Sequence, residues 1–263
     1  MPTELTAAPL RTAAPRTEPY RTTVERLRAA QKPAGRGAPA YSIYVNRRVG
    51  RYIAAAAFRA GLTPNQVTLI SATLTFAAIA GVAALPASTG LGILAALLLA
   101  LGYAFDSADG QLARLRGGGT AAGEWLDHVV DAIKTSTLHA AVLLSAFRFL
   151  PAVERGWLLL PVGFGAVASA SFAVFLLNDL LKAARSKQDT TSVIRTGSTP
   201  LRSLLGAPTD YGVLVYVFLL LGWPAAFLTV YGLLFAASAA YLVVALPKWF
   251  RDVRALEPAG VGR

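Results

Sequence analysis

The chain has no cysteine among its 263 residues, which excludes disulfides and thiolate metal centres. It has two histidines, His128 and His139, fewer than a protein zinc site wants when cysteine is absent. Charge is scarce too: 15% of residues are charged, against about 25% in soluble domains. Residues 64–105 carry no charged side chain at all. No apolar stretch lies close enough to the start to serve as a signal-peptide core, so the first membrane span is expected to act as the insertion signal. What the chain does have is apolar surface, at 55% of residues, in runs long enough to span a bilayer. The net charge of +11 would suggest nucleic acid in a soluble protein. Here the basic residues flank the apolar runs, as the positive-inside rule describes. Membrane lipids with anionic headgroups are therefore the expected partner, and nucleic acid is not.

The organisation follows from these runs. Residues 1–39 are rich in Ala, Pro, Thr and Arg without sustained apolar periodicity and read as a disordered basic tail. In 40–62, Arg47, Arg48, Arg51 and Arg59 alternate with Ile43, Val45, Tyr52, Ile53 and Phe58, which predicts an amphipathic juxtamembrane helix on the membrane surface. Residues 63–251 read as an all-α membrane domain of six transmembrane helices, at about 64–86, 91–116, 120–150, 156–185, 211–222 and 224–250, and 252–263 as a short C-terminal tail. Thr63-Pro64 marks a helix start, the run Gly117, Gly118 and Gly119 a break. Trp157, Trp223 and Trp249 sit at span ends, where interfacial tryptophans belong. The links near 86–90 and 222–223 carry no charge, whereas Arg47, Arg114, Arg116, Lys182, Arg185, Lys187, Arg195, Arg202 and Lys248 fall on the other side. A multi-pass protein of the cell (plasma) membrane with both termini cytoplasmic is the expectation.

Against this apolar background four carboxylates stand out. Asp106 and Asp109 are three apart, and Asp127 and Asp131 four apart, so each pair shares one helix face. Ionisable groups inside a span are costly and mark function by default. Two opposed pairs would make an all-oxygen cage suited to a hard divalent cation such as Mg²⁺. From Leu91 to Phe105 there are 15 apolar residues, or about 22 Å of helix. Against a hydrocarbon core of about 30 Å that places Asp106 just below the cytoplasmic interface, within reach of a soluble nucleotide and of a lipid.

Residues 106–131 spell D-x2-D-G-x2-A-R-x8-G-x3-D-x3-D, with Asp106, Asp109, Gly110, Ala113, Arg114, Gly123, Asp127 and Asp131 as fixed positions. This resembles the signature of the CDP-alcohol phosphotransferases, membrane enzymes that make phospholipids and related phosphodiesters. The resemblance implies transfer of a phosphoalcohol, here a phosphatidyl group, from a CDP-alcohol donor such as CDP-diacylglycerol to the hydroxyl of an acceptor, with release of CMP. It implies Mg²⁺ or Mn²⁺ as cofactor, two ions held by Asp106, Asp109, Asp127 and Asp131, with Asp131 as the general base. It further implies nucleotide or diphosphate contacts from Asn65, Gln66 and Thr68 at the first-span entrance, and from Gly110, Ala113, Arg114, Thr120 and Gly123. Gly110, Ala113 and Gly123 leave space for a nucleotide and equally permit close helix packing. Thr120 is equally an N-cap. A homodimer is left open.

The acceptor is less legible. Lys134, Lys182, Arg185, Arg195 and Arg202 near the cytoplasmic mouth are candidates for a phosphorylated polyol, with ordinary positive-inside charge as the alternative for all but Lys134. Lys134 lies inside the span, where an unpaired lysine is costly. A soluble donor such as CDP-inositol remains the alternative to a lipid donor. Intramembrane prenyltransferases also use aspartates and diphosphate, but on two separated motifs. A transporter or non-enzymatic scaffold would show internal repeats or a broken motif. The segments Asp210-Tyr211-Gly212 and 195–200 carry no chemistry that the sequence assigns.

Overall fold

The structure is a computed structural model and describes residues 18–31, 39–150, 155–186 and 209–256. Its helices are α1 (Tyr20–Ala29), α2 (Arg47–Arg59), α3 (Pro64–Ala84), α4 (Thr89–Leu115), α5 (Ala121–Phe149), α6 (Leu159–Ser186), α7 (Tyr211–Val217) and α8 (Pro224–Arg254). A π-turn, Ser42–Asn46, leads into α2, and short 3₁₀ turns at Arg155–Leu158 and Phe218–Leu220 adjoin α6 and α7.

Helix starts are set by side chains that satisfy the orphan backbone donors of a first turn. At α3, Thr63 and Gln66 form a reciprocal capping box, with Pro64 in the first turn. Ser88 accepts from the Leu91 amide at α4, and Thr120 from the Gly123 amide at α5. Between α4 and α5 the chain reverses through Gly117 and Gly118 at φ +100° and +139°, values that side chains with a Cβ rarely adopt.

Five helical stretches are long and apolar enough to cross a membrane: Pro64–Ala84, Thr89–Leu115, Ala121–Phe149, Arg155–Arg185 and Pro224–Arg254. The sixth expected span corresponds to the shorter apolar stretch Tyr211–Leu220. Its two turns of α-helix and one of 3₁₀ rise about 16 Å, half of a hydrocarbon core. The last helix passes through Pro247 without ending.

Two large apolar clusters hold the bundle, and a third, small one joins Leu242, Ala245 and Trp249 of α8 with Val167 and Val174 of α6. The larger joins Ala78 and Val82 of α3, Ala95 and Leu99 of α4, Leu138 and Val142 of α5, Phe164 of α6, Leu214 and Val215 of α7, and Phe227 and Tyr231 of α8. The smaller joins Leu27 of α1, Ala54, Ala55 and Phe58 of α2, Val67 of α3, and Ala108, Leu112 and Leu115 of α4. Asp106 and Asp109 lie on α4 between Leu99 and Leu112, so the carboxylate layer is clamped between two packed regions. The α3–α4 crossing is close: Ser71 Oγ donates to the Gly102 carbonyl at 2.8 Å, and a Cβ on Gly102 would run into Thr75. In α5, His139 Nδ1 meets the Tyr231 hydroxyl at 2.6 Å, so two polar groups buried in the span satisfy each other. Leu159, Leu177, Leu233, Val243, Val244 and Phe250 point outward from α6 and α8, as lipid-facing residues do.

One expectation needs correction. A disordered tail is expected over residues 1–39, of which 1–17 and 32–38 lie outside the described residues, yet Tyr20–Ala29 is helical. A ten-residue helix is marginal alone. Leu27, 2% exposed, enters the smaller cluster with Tyr20 and Val24 packed beside it, and burying one leucine contributes about 1.5–3 kcal/mol. The Tyr20, Val24, Leu27 spacing was the missed signal.

Candidate active site

The α4–α5 hairpin brings the two aspartate pairs face to face. Asp106 is a charge neighbour of Asp109, Asp127 and Asp131 alike. Oxygen and nitrogen atoms of Asp127, His128 and Asp131 lie within 4.8 Å of one another. His128 thus stands beside the second pair; its Nε2 also lies 3.9 Å from Glu124.

Lys134 occupies the centre of this layer. Its Nζ donates to Asp106 Oδ1 at 2.6 Å across the helix interface and pairs with Asp131 Oδ1 at 2.5 Å within α5. The lysine side chain is only 10% exposed, so the two ion pairs answer the cost of a lysine at this depth. One ammonium against four carboxylates still leaves the layer net negative, and an oxygen-rich, anionic donor set is what hard divalent cations require. The residues present therefore fit Mg²⁺ or Mn²⁺.

Asp109 is the most enclosed of the four, at 7% exposure. Thr68 Oγ1 donates to its Oδ2 at 2.6 Å, a short charge-assisted bond that fixes the carboxylate. Thr68, expected at the nucleotide, is thus engaged with a carboxylate. Gln66 Oε1 likewise accepts from the Thr63 amide at 2.8 Å in the capping box, and the Thr120 hydroxyl accepts from the Gly123 amide at 3.0 Å, so its cap reading is realised. Asn65 is exposed at the mouth, and a Cβ on Gly123 would approach its Oδ1 to 2.9 Å. α3 and α5 therefore meet tightly at Gly123 and Asn65. A Cβ on Gly110 would make ordinary contact with Arg114, so packing does not demand glycine there. Ala113 is half-buried. Arg114 is exposed and lines a small polar cavity with Gln31, Arg47, Ser107 and Gln111, where α1 and α2 meet α4.

The acceptor candidates separate. Lys134 is in the site. Lys182 and Arg185 are exposed in the last turns of α6, and neither makes a hydrogen bond or ion pair to the aspartates among the described residues. Arg195 and Arg202 lie outside the described residues.

The sequence reading missed a second wall. Tyr103, one turn before Asp106, packs edge-on against Tyr211 with ring centroids 5.1 Å apart and lies 6.2 Å from Tyr41 in a stacked pair. Asp210, 2% exposed, accepts from the Gly212 amide at 3.0 Å and the Ser42 amide at 3.2 Å. An Asp immediately before an apolar helix was the available signal.

A family model described as CDP-alcohol phosphatidyltransferase matches residues 61–246. A phosphatidylinositol phosphate synthase of Corynebacterium glutamicum is 48% identical over 81 residues, which are 31% of this chain and 35% of that protein; the match spans about a third of that relative's length. Crystal structures of the Mycobacterium tuberculosis phosphatidylinositol phosphate synthase align at 25% identity with a TM-score of 0.47. The one in complex with manganese and citrate is covered to 91% by 80% of this chain, and the one with CDP-DAG bound to 98% by 83%.

Proposed function

The chain belongs to the CDP-alcohol phosphatidyltransferase family, and we propose that it transfers a phosphatidyl group from CDP-diacylglycerol to a phosphorylated polyol. The observation that carries this reading is the carboxylate layer: all four aspartates of the family motif face one another across α4 and α5, with Thr68 holding Asp109 and Lys134 joining Asp106 to Asp131.

In the reaction, the acceptor oxygen forms a bond to the phosphorus that carries diacylglycerol. The bond from that phosphorus to the CMP oxygen breaks, and CMP leaves with the electron pair. Asp131 takes the acceptor's proton. Asp106, Asp109 and Asp127, together with Asp131, would hold the divalent ions, which when bound neutralise diphosphate charge and stabilise the leaving group. Asn65, whose amide lies beside Gly123, and the adjacent Gln66 are assigned to the cytidine, and Gly110, Ala113, Arg114 and Thr120 to the diphosphate. Lys134, beside Asp131, is the basic group positioned for the acceptor's phosphate. Lys182, Arg195 and Arg202 would add charge to the mouth.

Parity supports a sixth crossing. Val142, Ser145 and Ala146 at the end of α5 share a cleft with Leu221, Pro224 and Phe227, and Gly222 abuts Thr89 at the start of α4. The last span therefore begins at the membrane face where α5 ends. Since α6 returns from that face, a further crossing between α6 and α8 is what this arrangement supports. α7 and its 3₁₀ turn run along α4 from the depth of Tyr103 to that of Thr89, which is the course such a crossing takes. The basic face of α2, with Arg47, Arg48 and Arg51, supports a juxtamembrane position. Its location at the aspartate end supports a cytoplasmic site in the plasma membrane.

The test is release of radiolabelled CMP by the purified protein with Mg²⁺, either CDP-diacylglycerol or CDP-inositol as donor, and a panel of inositol phosphate, glycerol phosphate, free inositol and no acceptor. Acceptor-dependent CMP release is the expected result. Release with CDP-inositol and not with CDP-diacylglycerol would transfer the reading to a soluble donor; release with neither would end it.

A further inference from the structure

The segment Asp210-Tyr211-Gly212 resolves into three separate jobs, two of them structural. Asp210 ties two backbone starts together, accepting from Gly212 of α7 and from Ser42 of the π-turn. Gly212 gives room to Tyr41, whose ring a Cβ there would collide with. Tyr41 is held in turn by the Tyr216 hydroxyl at 3.1 Å, and burial together with that bond pushes its phenol up, so this wall stays uncharged.

Tyr211 is the remainder. Its ring packs on Tyr103 and against the larger apolar cluster. Its hydroxyl oxygen is fully buried and has no hydrogen-bond partner among the described residues, whereas the neighbouring Tyr103 hydroxyl has one in Ser42. A buried hydroxyl without a partner is less favourable than a phenylalanine in the same place, and such groups in a native structure call for an explanation. The ionisable groups that act on this hydroxyl are Lys134, Asp106, Tyr103 and Asp131.

The ring contact with Tyr103, one turn before Asp106 on α4, places Tyr211 at the Asp106 end of the site. Asp109 is held by Thr68 of α3, and Asn65 and Gly123 close that same edge; this is the edge assigned above to the nucleotide. Tyr211 stands against Tyr103 instead, with Asp106, the base Asp131 and the ammonium Lys134 near its hydroxyl. We propose that the Tyr211 hydroxyl is a substrate-contacting group that donates a hydrogen bond to an oxygen of the acceptor and so holds the acceptor against Asp131. The inference rests on the transfer reaction proposed above and deepens it. α7 then contributes to the site as well as to the bundle, and the Asp210 clamp is what sets the height of the tyrosine.

The experiment is Tyr211→Phe in the full-length enzyme, with steady-state CMP release measured against CDP-diacylglycerol and against the acceptor that the wild type uses best. Phenylalanine keeps the ring packing, so the melting temperature in detergent should equal or exceed that of wild type. The KM for the acceptor should rise about tenfold, as loss of one hydrogen bond at a buried site implies, with the KM for CDP-diacylglycerol unchanged. A rise of about threefold or more confined to the acceptor supports the assignment. An acceptor KM equal to wild type, or a shift in the donor KM instead, overturns it. If wild type releases no CMP with any acceptor, the transfer reading fails and this inference with it; an active wild type matched by Tyr211→Phe removes this inference alone.

Discussion

Replacing Lys134 by methionine tests whether the ammonium is the internal counter-ion of the carboxylate layer. The methionine keeps most of the side chain's length and removes the charge. At an effective dielectric of about 20, unit charges 2.6 Å apart attract by about 6 kcal/mol. Dehydration of the ions cancels much of this, and breaking a buried pair by removing one partner typically costs about 3–5 kcal/mol. Lys134 closes two such contacts, at 2.6 Å to Asp106 and 2.5 Å to Asp131, and its side chain is 10% exposed, so little solvent screening applies. For a chain of this size about 2–4 °C accompanies each kcal/mol. Lys134→Met should therefore melt about 6–20 °C below wild type in EDTA. Divalent cations should then recover more of the loss than they add to wild type, because an ion at about a hundred times its Kd stabilises by about 2.7 kcal/mol and no longer competes with a lysine for Asp106 and Asp131. The assay is thermal unfolding of both proteins in detergent, with EDTA and with a Mg²⁺ series. Equal melting temperatures in EDTA, or equal Mg²⁺ shifts, would refute the counter-ion role.

Excess EDTA should abolish CMP release and Mg²⁺ or Mn²⁺ should restore it; full turnover in chelator would sink the oxygen-cage mechanism. Asp131→Asn should keep CDP-alcohol binding while turnover falls at least about a hundredfold, and a near wild-type rate would show that Asp131 is not the base. Cysteines introduced singly at Ser88 and Gly119 test the topology, since the chain has none of its own. An impermeant thiol reagent added outside intact cells should label the first and reach the second only after permeabilisation, and the reverse pattern would place the carboxylates on the wrong face for cytoplasmic CDP-alcohols.

Much of this protein was written locally. Asp106, Asp109, Asp127 and Asp131 were legible because helical spacing alone puts each pair on one face, and the Gly117–Gly119 run because a tight reversal needs glycine conformations. Thr63-Pro64 and Thr120 were legible as helix starts because caps act within three residues. Absence of charge over 64–105 was enough to require a membrane. What the sequence left open depends on partners distant along the chain. Thr68 meets Asp109 forty-one residues away, so its hydroxyl was placed at the nucleotide rather than on a carboxylate. Lys134 read as an acceptor contact, and only the α4–α5 interface made it the bridge between Asp106 and Asp131. The order of α1 depended on a groove that α2 and α4 create together. The buried hydroxyl of Tyr211 has no periodic signature, because its meaning arises only where α7 brings it beside charges from two other helices. Covalent spacing determined which groups share a helix face; helix packing decided which faces meet, since the energy of a buried charge or hydroxyl is set by what stands opposite it.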